Sequence, residues 1–475
     1  METATAAASV ADGPRAADRL RELAAHLKLH SGFSDVVASL EAGHGGTLGG
    51  VWGSSRALVA AALAQSCPGP LVIVAPHPGE IDAIARDLTL FSDLPVAAFP
   101  AWESEPGERV VYDEIYGQRL RVLKELAGDA VGQGKGDSPL FPNHANRRVD
   151  DPRRKKGTVP VIVTSIQSLL QPVPGRDALA AATREIRVGG RVDEQELTRW
   201  LVEHGAHATS AVELPGEFSL RGGILDIFAA DAEEPVRIEL FGDEVESIRR
   251  FDVATQRSLA SLDAAQITML EPSASDRAHF TAYLSNHGAW FLLIEPNELE
   301  EEGKVFLERM DRPQAFHSVR TTLEEIYRYP SVTASGVPAG SMETTAHLEF
   351  ESVERFSGEI TKVRDELDKV SAGQEVFVVC ETEAEGERLS ELFKSSPSSS
   401  NIADPSWVGP AAAGNHQEKR APLDPGQDGR AMYSTVRRLH FVVGHLEAGF
   451  RIVPQRVVLV SAAELFQRQD LAHTT

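Results

Sequence analysis

From Val212 to Ser258 the chain reads VELPGEFSLRGGILDIFAADAEEPVRIELFGDEVESIRRFDVATQRS. Three segments within it, Gly223 to Phe228, Val236 to Phe241 and Val245 to Phe251, space Ile, Leu, Val and Phe with polar residues. That alternation is the signature of half-buried strands. Gly222-Gly223 opens the first segment, Asp231 to Pro235 separates it from the second, and Gly242-Asp243 separates the second from the third. Short polar or glycine connections of this kind join consecutive antiparallel strands, so the stretch predicts a β-meander. Its charge pattern stands apart from the rest of the chain. Arg221, Arg237, Arg249 and Arg250 fall in it, although the protein carries 70 acidic and 47 basic residues and a formal net charge of −23. A local arginine cluster in so acidic a chain predicts a specific anionic partner; arginines on the wet face of a half-exposed sheet are the plainer alternative.

The ordered series EFSLRGGILDIF, RIELFGDEVESIRRFD and TQRS resembles the second domain of the bacterial transcription-repair coupling factors (Mfd). That domain is in turn similar to the UvrA-binding domain of the excision-repair protein UvrB. The resemblance implies a multidomain α/β protein: a degenerate phosphate-loop-type α/β domain, an inserted α+β domain with an antiparallel sheet, and a small C-terminal α/β domain. On this reading residues 1–30 form a leader and N-terminal helix, 31–182 the first part of domain 1 and 183–271 domain 2. Residues 272–345 complete domain 1, and 346–475 form domain 3.

Length and composition agree with this scale. A chain of 475 residues has a prior of about three domains, and 42% hydrophobic content is enough for ordinary cores. It contains no apolar run of about 18 residues and no basic segment followed by an apolar one near the N-terminus, which excludes a helical membrane span and disfavours a secretory signal. Cys67 and Cys380, each beside an apolar run, read as buried thiols of a reducing cytoplasm. An acidic chain repels the phosphate backbone, so protein partners are favoured over free-standing DNA binding.

Ahead of the meander, LGGVWGSSRALVAAALAQ (Leu48 to Gln65) sets a glycine-rich turn before an apolar helix, followed by the buried strand LVIVAP, Leu71 to Pro76. A working phosphate loop needs glycines that let backbone N–H groups face the phosphates, a lysine, and a hydroxyl for Mg²⁺. With Gly50 as the first glycine, Ser55 stands at the second glycine position, Arg56 at the lysine and Ala57 at the hydroxyl. No nucleotide chemistry is expected there, and the resemblance agrees, since the family keeps this fold without its nucleotide site. Only Tyr112 and Tyr116 lie between Pro106 and Arg119, too few for the aromatic hairpin with which UvrB clamps DNA.

Helices are predicted over Ala16 to Leu29, Pro78 to Leu90, Val192 to Gly205, Arg277 to Asn286, Leu299 to Met310 and Ser357 to Val370. Strands are predicted in VPVIVTS, REIRVGG, AWFLLIEP, QEVFVVCET, Leu439 to Val443 and Val457 to Val460, with a return strand within QRSLASLDAAQITMLEPS. Residues 128–157 and 395–430 are polar, glycine- and proline-rich, and read as a disordered insertion and a flexible loop. Gly134-Lys135 and the basic run Arg153 to Lys156 lie in the first of these and lack the context of a phosphate loop or a nucleic-acid arm. GHLEAGF and LVSAAELFQR resemble the closing part of the family's third domain.

The sequence has no GxSxG, HExxH or paired CxxC, so no catalytic residue, metal or cofactor is expected. What remains is recognition. Carried over by the resemblance, the UvrA-contacting positions are Arg221, Arg237 and Phe241. Arg237 and Phe241, four apart on a strand, share a face, and a cation beside an aromatic anchor is the usual make-up of an interface hot spot. The resemblance thus implies recruitment of UvrA to stalled RNA polymerase. Polymerase, double-stranded DNA, ATP and Mg²⁺ belong to family modules whose motifs do not occur in this sequence. The alternatives are an ATP-dependent DNA translocase, as in the intact family, and a UvrB-like damaged-DNA-binding protein.

Overall fold

The computed structural model describes residues 13–102, 114–129, 161–272, 276–284, 288–337, 344–353, 373–394 and 438–466, with scattered positions between 356 and 370. The chain first builds the strands β1 (Gly46–Gly49), β2 (Leu71–Ala75), β3 (Val96–Phe99) and β4 (Val161–Ser165). Every residue of β1, β2 and β4 is buried, as expected of parallel strands covered on both faces. Helices α1 (Gly13–Leu27), α2 (Ser31–Glu41), α3 (Ser55–Ala64) and α4 (Glu80–Phe91) pack one face. Helices α5 (Glu114–Asp129) and α6 (Ile166–Leu170) pack the other. Gly128 and Asp129, read from sequence as the start of a disordered insertion, still belong to α5; the rest of that insertion, the 395–430 loop and most of Ser357 to Val370 lie outside the described residues.

After α7 (Arg176–Ala181) the chain leaves the layer and forms a unit of its own. Its elements are β5 (Thr183–Arg187), α8 (Glu194–Glu203), β6 (His207–Ala208), β7 (Glu217–Arg221), β8 (Ile224–Ile227), β9 (Val236–Phe241), β10 (Glu244–Phe251), β11 (Ser258–Leu262) and β12 (Ala264–Thr268). The main sheet runs β11-β10-β9-β8-β7-β6, antiparallel from β7 to β11. The meander therefore forms with one strand more than expected at its start. The expected single return strand divides in two: β11 stays at the sheet edge, while β12 pairs with β5 so that Ala265 and Ile267 reach the core beside Ile186. Thr183 pairs with Thr268, so the chain enters and leaves this unit at one place. Leu197, Trp200 and Leu201 of α8 close the core over Phe218, Leu225, Ile238 and Ile248.

The chain then returns to the first layer with β13 (Trp290–Ile294), α9 (Pro296–Glu308), α10 (Val319–Ile326), β14 (Ser331–Ser335) and β15 (Thr344–His347). The completed sheet has seven strands in the order β15-β1-β14-β13-β2-β4-β3, all parallel. Two sequence expectations change here. Over its described part, Arg277 to Leu284, the helix expected to Asn286 gives way to a single 3₁₀ turn, Phe280–Tyr283, because the backbone at Ala278 is held extended in a bridge to Val173; Ser285 and Asn286 lie outside the described residues. The boundary set between 345 and 346 falls inside β15, whose pairing with β1 carries the first sheet on to His347.

The last unit comprises β16 (Phe350–Ser352), β17 (Glu375–Cys380), α11 (Glu383–Lys394), β18 (Arg438–Val443), β19 (Phe450–Ile452), β20 (Val457–Ser461) and a short helix, Ala462–Leu465. Its sheet runs β16-β19-β20-β17-β18. Successive residues of a strand point to opposite faces, and here the two faces have different company. Val376, Val378, Val458 and Val460 pack with Leu389 and Phe393 of α11. Phe377, Val379, Phe450 and Leu459 instead join the apolar cluster of α1, α3 and α4.

Candidate functional site

Strand alternation sorts the inserted sheet into two faces. Val236 and Ile238 of β9 turn into the core, which leaves Arg237, Glu239 and Phe241 on the outer side. Register places Asp226 of β8 opposite Arg237, and Ile224 opposite Glu239 and next to Arg221 of β7. Phe241 and Ile224 on this outer face are apolar and exposed, at 80% and 40%. Both lie at one end of the sheet, beside the turns at Gly222-Gly223 and Gly242-Asp243. The three glycines take φ of +56°, +84° and +62°, a region that side-chain-bearing residues rarely adopt, so the turns hold this end in shape. A core role for Phe241 is excluded by its exposure.

The charges of the arginine cluster are largely matched by carboxylates. Arg237 donates from Nε and Nη2 to the two carboxylate oxygens of Asp226 at 2.7 and 2.9 Å, donates to Gln256 Oε1 at 3.1 Å, and lies 4.5 Å from the centre of the Phe251 ring. Its hydrogen bonds to Asp226 raise its pKa. Arg249 pairs with Glu239, whose carboxyl is held below its ordinary value chiefly by the Ser247 hydroxyl and then by Arg249; Arg250 pairs with Glu234. Only Arg221 of the four has no acidic partner among the described residues. The expectation of an anion-seeking arginine cluster is therefore corrected. Carboxylates that sequence spacing does not reveal pair with three of its members, which leaves Arg221 on the outer face with the exposed Ile224 and Phe241.

At the carboxyl end of β1, the turn Gly50 to Ala57 leads into α3. Gly50 has φ +76°, and a Cβ there would stand 2.2 Å from the Leu348 carbonyl oxygen. Four amides of this turn have acceptors within the protein. Val51 N–H donates to the Ser335 carbonyl, Trp52 N–H to Ser55 Oγ, Ser55 N–H to the Trp52 carbonyl and Arg56 N–H to the Gly53 carbonyl. Ser55 is fully buried and Ala57 is 1% exposed. The Arg56 guanidinium is held by Glu80 at 2.7 Å and Glu295 at 3.7 Å. Gly50, Ser55, Arg56 and Ala57 thus come together in one turn, with the Ser55 and Ala57 side chains buried and the Arg56 guanidinium paired with carboxylates.

Residues 185–270 match the family model of the UvrB interaction domain. The chain is also similar to transcription-repair-coupling factors. It is 38% identical to that of Mycobacterium tuberculosis over 213 residues, 44% of this chain and 15% of the relative. The corresponding figures are 30% over 244 residues for Bacillus subtilis, 51% of this chain and 18% of the relative, and 25% over 247 residues for Escherichia coli, 52% and 19%. The similarity thus covers about half of this chain and less than a fifth of the length of those relatives.

Within residues 185–270, sequence reasoning named Arg221, Arg237 and Phe241 but passed over Ile224 and Asp226. The signal for Ile224 was present: in Ile224-Leu225-Asp226-Ile227 the period of two sets Ile224 with Asp226 on the polar side. Nothing in the spacing says that Asp226 would meet Arg237. The domain is seated on the first unit through α5, where Lys124 pairs with the buried Asp231 and donates to Thr268 Oγ1, and Arg121 donates to the Asp231 carbonyl. Among the described residues no group of three or more His, Cys, Asp or Glu side chains is placed to hold a metal, and no helix is long and apolar enough to cross a membrane.

Proposed function

We propose that this chain is the partner-recruiting region of a transcription-repair coupling factor, and that the outer face at Arg221, Ile224 and Phe241 docks UvrA. Recruitment would bring the damage sensor of nucleotide excision repair to RNA polymerase stalled at a lesion. Polymerase and double-stranded DNA would be engaged through parts of such a factor outside this sequence. The observation that carries the reading is Phe241, a phenyl ring 80% exposed at a strand end on the same outer face as Arg221, a cation with no acidic partner among the described residues. A large apolar ring in water is a liability unless a partner covers it, and aromatic-plus-arginine centres dominate protein interfaces. Similarity to named coupling factors and the UvrB interaction domain match support the choice of partner.

The turn at Gly50 is, in this proposal, a phosphate-loop relic that takes no nucleotide. Support comes from its geometry: the Val51, Trp52, Ser55 and Arg56 amides already have acceptors, and two carboxylates hold Arg56 where a triphosphate would bring more negative charge. ATP and Mg²⁺ are assigned to no residue of this chain.

Calorimetric titration of UvrA into the wild type and into Phe241→Ala, Arg221→Ala and the double variant tests the docking face. Hot-spot truncations of this kind weaken binding by about 2 kcal/mol or more, roughly 30-fold. Equal affinity for the wild type and the double variant would remove the assigned surface.

A further inference from the structure

The glycine turn is covered by a loop from the far end of the chain, Gly444 to Phe450. Gly444 packs so closely on α4 that a Cβ there would lie 2.5 Å from Leu90 Cδ2. His445 Nδ1 stands 2.8 Å from Asp87 Oδ1, which also accepts from Glu447 N–H at 3.1 Å. Ala448 N–H donates to Ser54 Oγ at 2.9 Å, so the residue that opens α3 uses its hydroxyl on the loop and makes no side-chain cap to its own helix. Leu446 and Phe450 enter the cluster that holds α3 and α4. His445 and Asp87 have only 10% and 3% of their side chains exposed.

We propose that Gly444–Phe450 is a pH-responsive latch: the imidazolium of His445, gripped by Asp87, keeps the loop seated over the Gly50 turn, and loss of its proton loosens the seat. Asp87 is a buried carboxylate whose one ion-pair partner among the described residues is His445. A buried charge that loses its counter-charge carries a large desolvation penalty, whereas the charge-assisted bond is roughly twice as strong as a neutral one. The groups facing the ring are Asp87 and Arg86 of α4, Glu447 of the loop, 3.8 Å from Nε2, and Glu381 at the end of β17. Three carboxylates against one guanidinium favour the protonated ring, and the bond to Asp87 leads in raising the His445 pKa above 6.5. A group raised in the folded state lends its full stabilisation below its unfolded value and loses it as pH climbs through the folded one. The latch therefore holds at mildly acidic pH and weakens toward alkaline pH. Neutral His445 can still donate one ordinary hydrogen bond, so the loop loosens while β20 and β2 stay folded. This inference stands on the geometry of the loop and is independent of the UvrA reading.

Hydrogen exchange of the full chain, read as protection of the 444–450 amides relative to an unstructured peptide at each pH, tests it. From about pH 6 to about pH 9 the wild type should lose about tenfold in protection in this loop, with peptides from β2 and β20 unchanged. His445→Gln and Asp87→Asn should both show the low value already at the acidic end and no pH dependence. Wild-type protection that stays flat across the range, or variants that keep the wild-type dependence, would overturn the proposal. If either variant unfolds as a whole, seen as lost protection in β2, the other variant and the wild-type titration still decide.

Discussion

Arg237 and Phe241 stand four residues apart on β9 and face the same way, yet they relate to the fold differently. The guanidinium of Arg237 is tied to Asp226 by two hydrogen bonds, with side-chain exposures of 24% and 16% for the pair. Removing one partner of a half-buried ion pair strands the other, so Arg237→Ala should lower the unfolding free energy by about 1–3 kcal/mol in urea denaturation, and adding Asp226→Asn should restore part of the loss. Phe241 touches water over most of its surface, and Phe241→Ala should leave the urea midpoint unchanged. A loss of partner binding in Arg237→Ala would therefore mix a structural effect with a contact effect, while a loss in Phe241→Ala reports the contact alone. Equal urea midpoints for the wild type and Arg237→Ala would contradict the structural role given to the Asp226 pair.

Elements are set by a few positions at which the backbone has no alternative. At Gly50 the chain combines φ +76° with a neighbouring carbonyl oxygen 2.2 Å from any added Cβ. Gly50→Ala meets backbone on one side and an unfavourable conformation on the other, so the turn between β1 and α3 must shift. The expected result is a loss of at least about 2 kcal/mol, read as a lower thermal midpoint, with strongest loss of exchange protection at Val51 to Ala57. A variant as stable as the wild type would mean that Leu348 does not press on this turn. Period-two patterning made the meander legible, because each strand has one wet face and one dry face; β13 and β20, dry on both sides, were legible as continuous apolar runs bounded by polar residues. The piece from Arg277 to Leu284 reads as helix in sequence because Phe280 and Tyr283, three apart, fit one turn of α-helix as well as one turn of 3₁₀.

At the scale of the molecule, the inserted unit is a loop whose two ends meet. Thr183 pairs with Thr268, and Met269 N–H donates to the Ala182 carbonyl, so the excision of 183–268 with a short Gly/Ser bridge need not stretch the parallel sheet. The shortened protein should keep a cooperative thermal transition and the circular-dichroism signature of its helices, since the clusters on both faces of that sheet draw almost wholly on residues outside the insert. Loss of the cooperative transition would show that the insert is needed for the first unit to fold. The last unit does not share this independence. Phe377, Val379, Phe450 and Leu459 bury one face of its sheet against α1, α3 and α4, so the two bodies that the sequence separates at 345 and 346 hold one core between them.

The sequence by itself determined the kind of element in most places and the absence at Ser55, Arg56 and Ala57 of the residues a phosphate loop uses, because these follow from local periodicity and from the chemistry of single side chains. Tertiary structure decided which charges cancel and which surfaces are covered. Asp226 lies eleven residues from Arg237, Asp87 lies 358 residues from His445, and Leu348 lies far along the chain from Gly50. A partner brought in by folding leaves no mark at the position it neutralises. That is why four arginines could be read as a cluster and only the folded chain leaves Arg221, Ile224 and Phe241 facing water together.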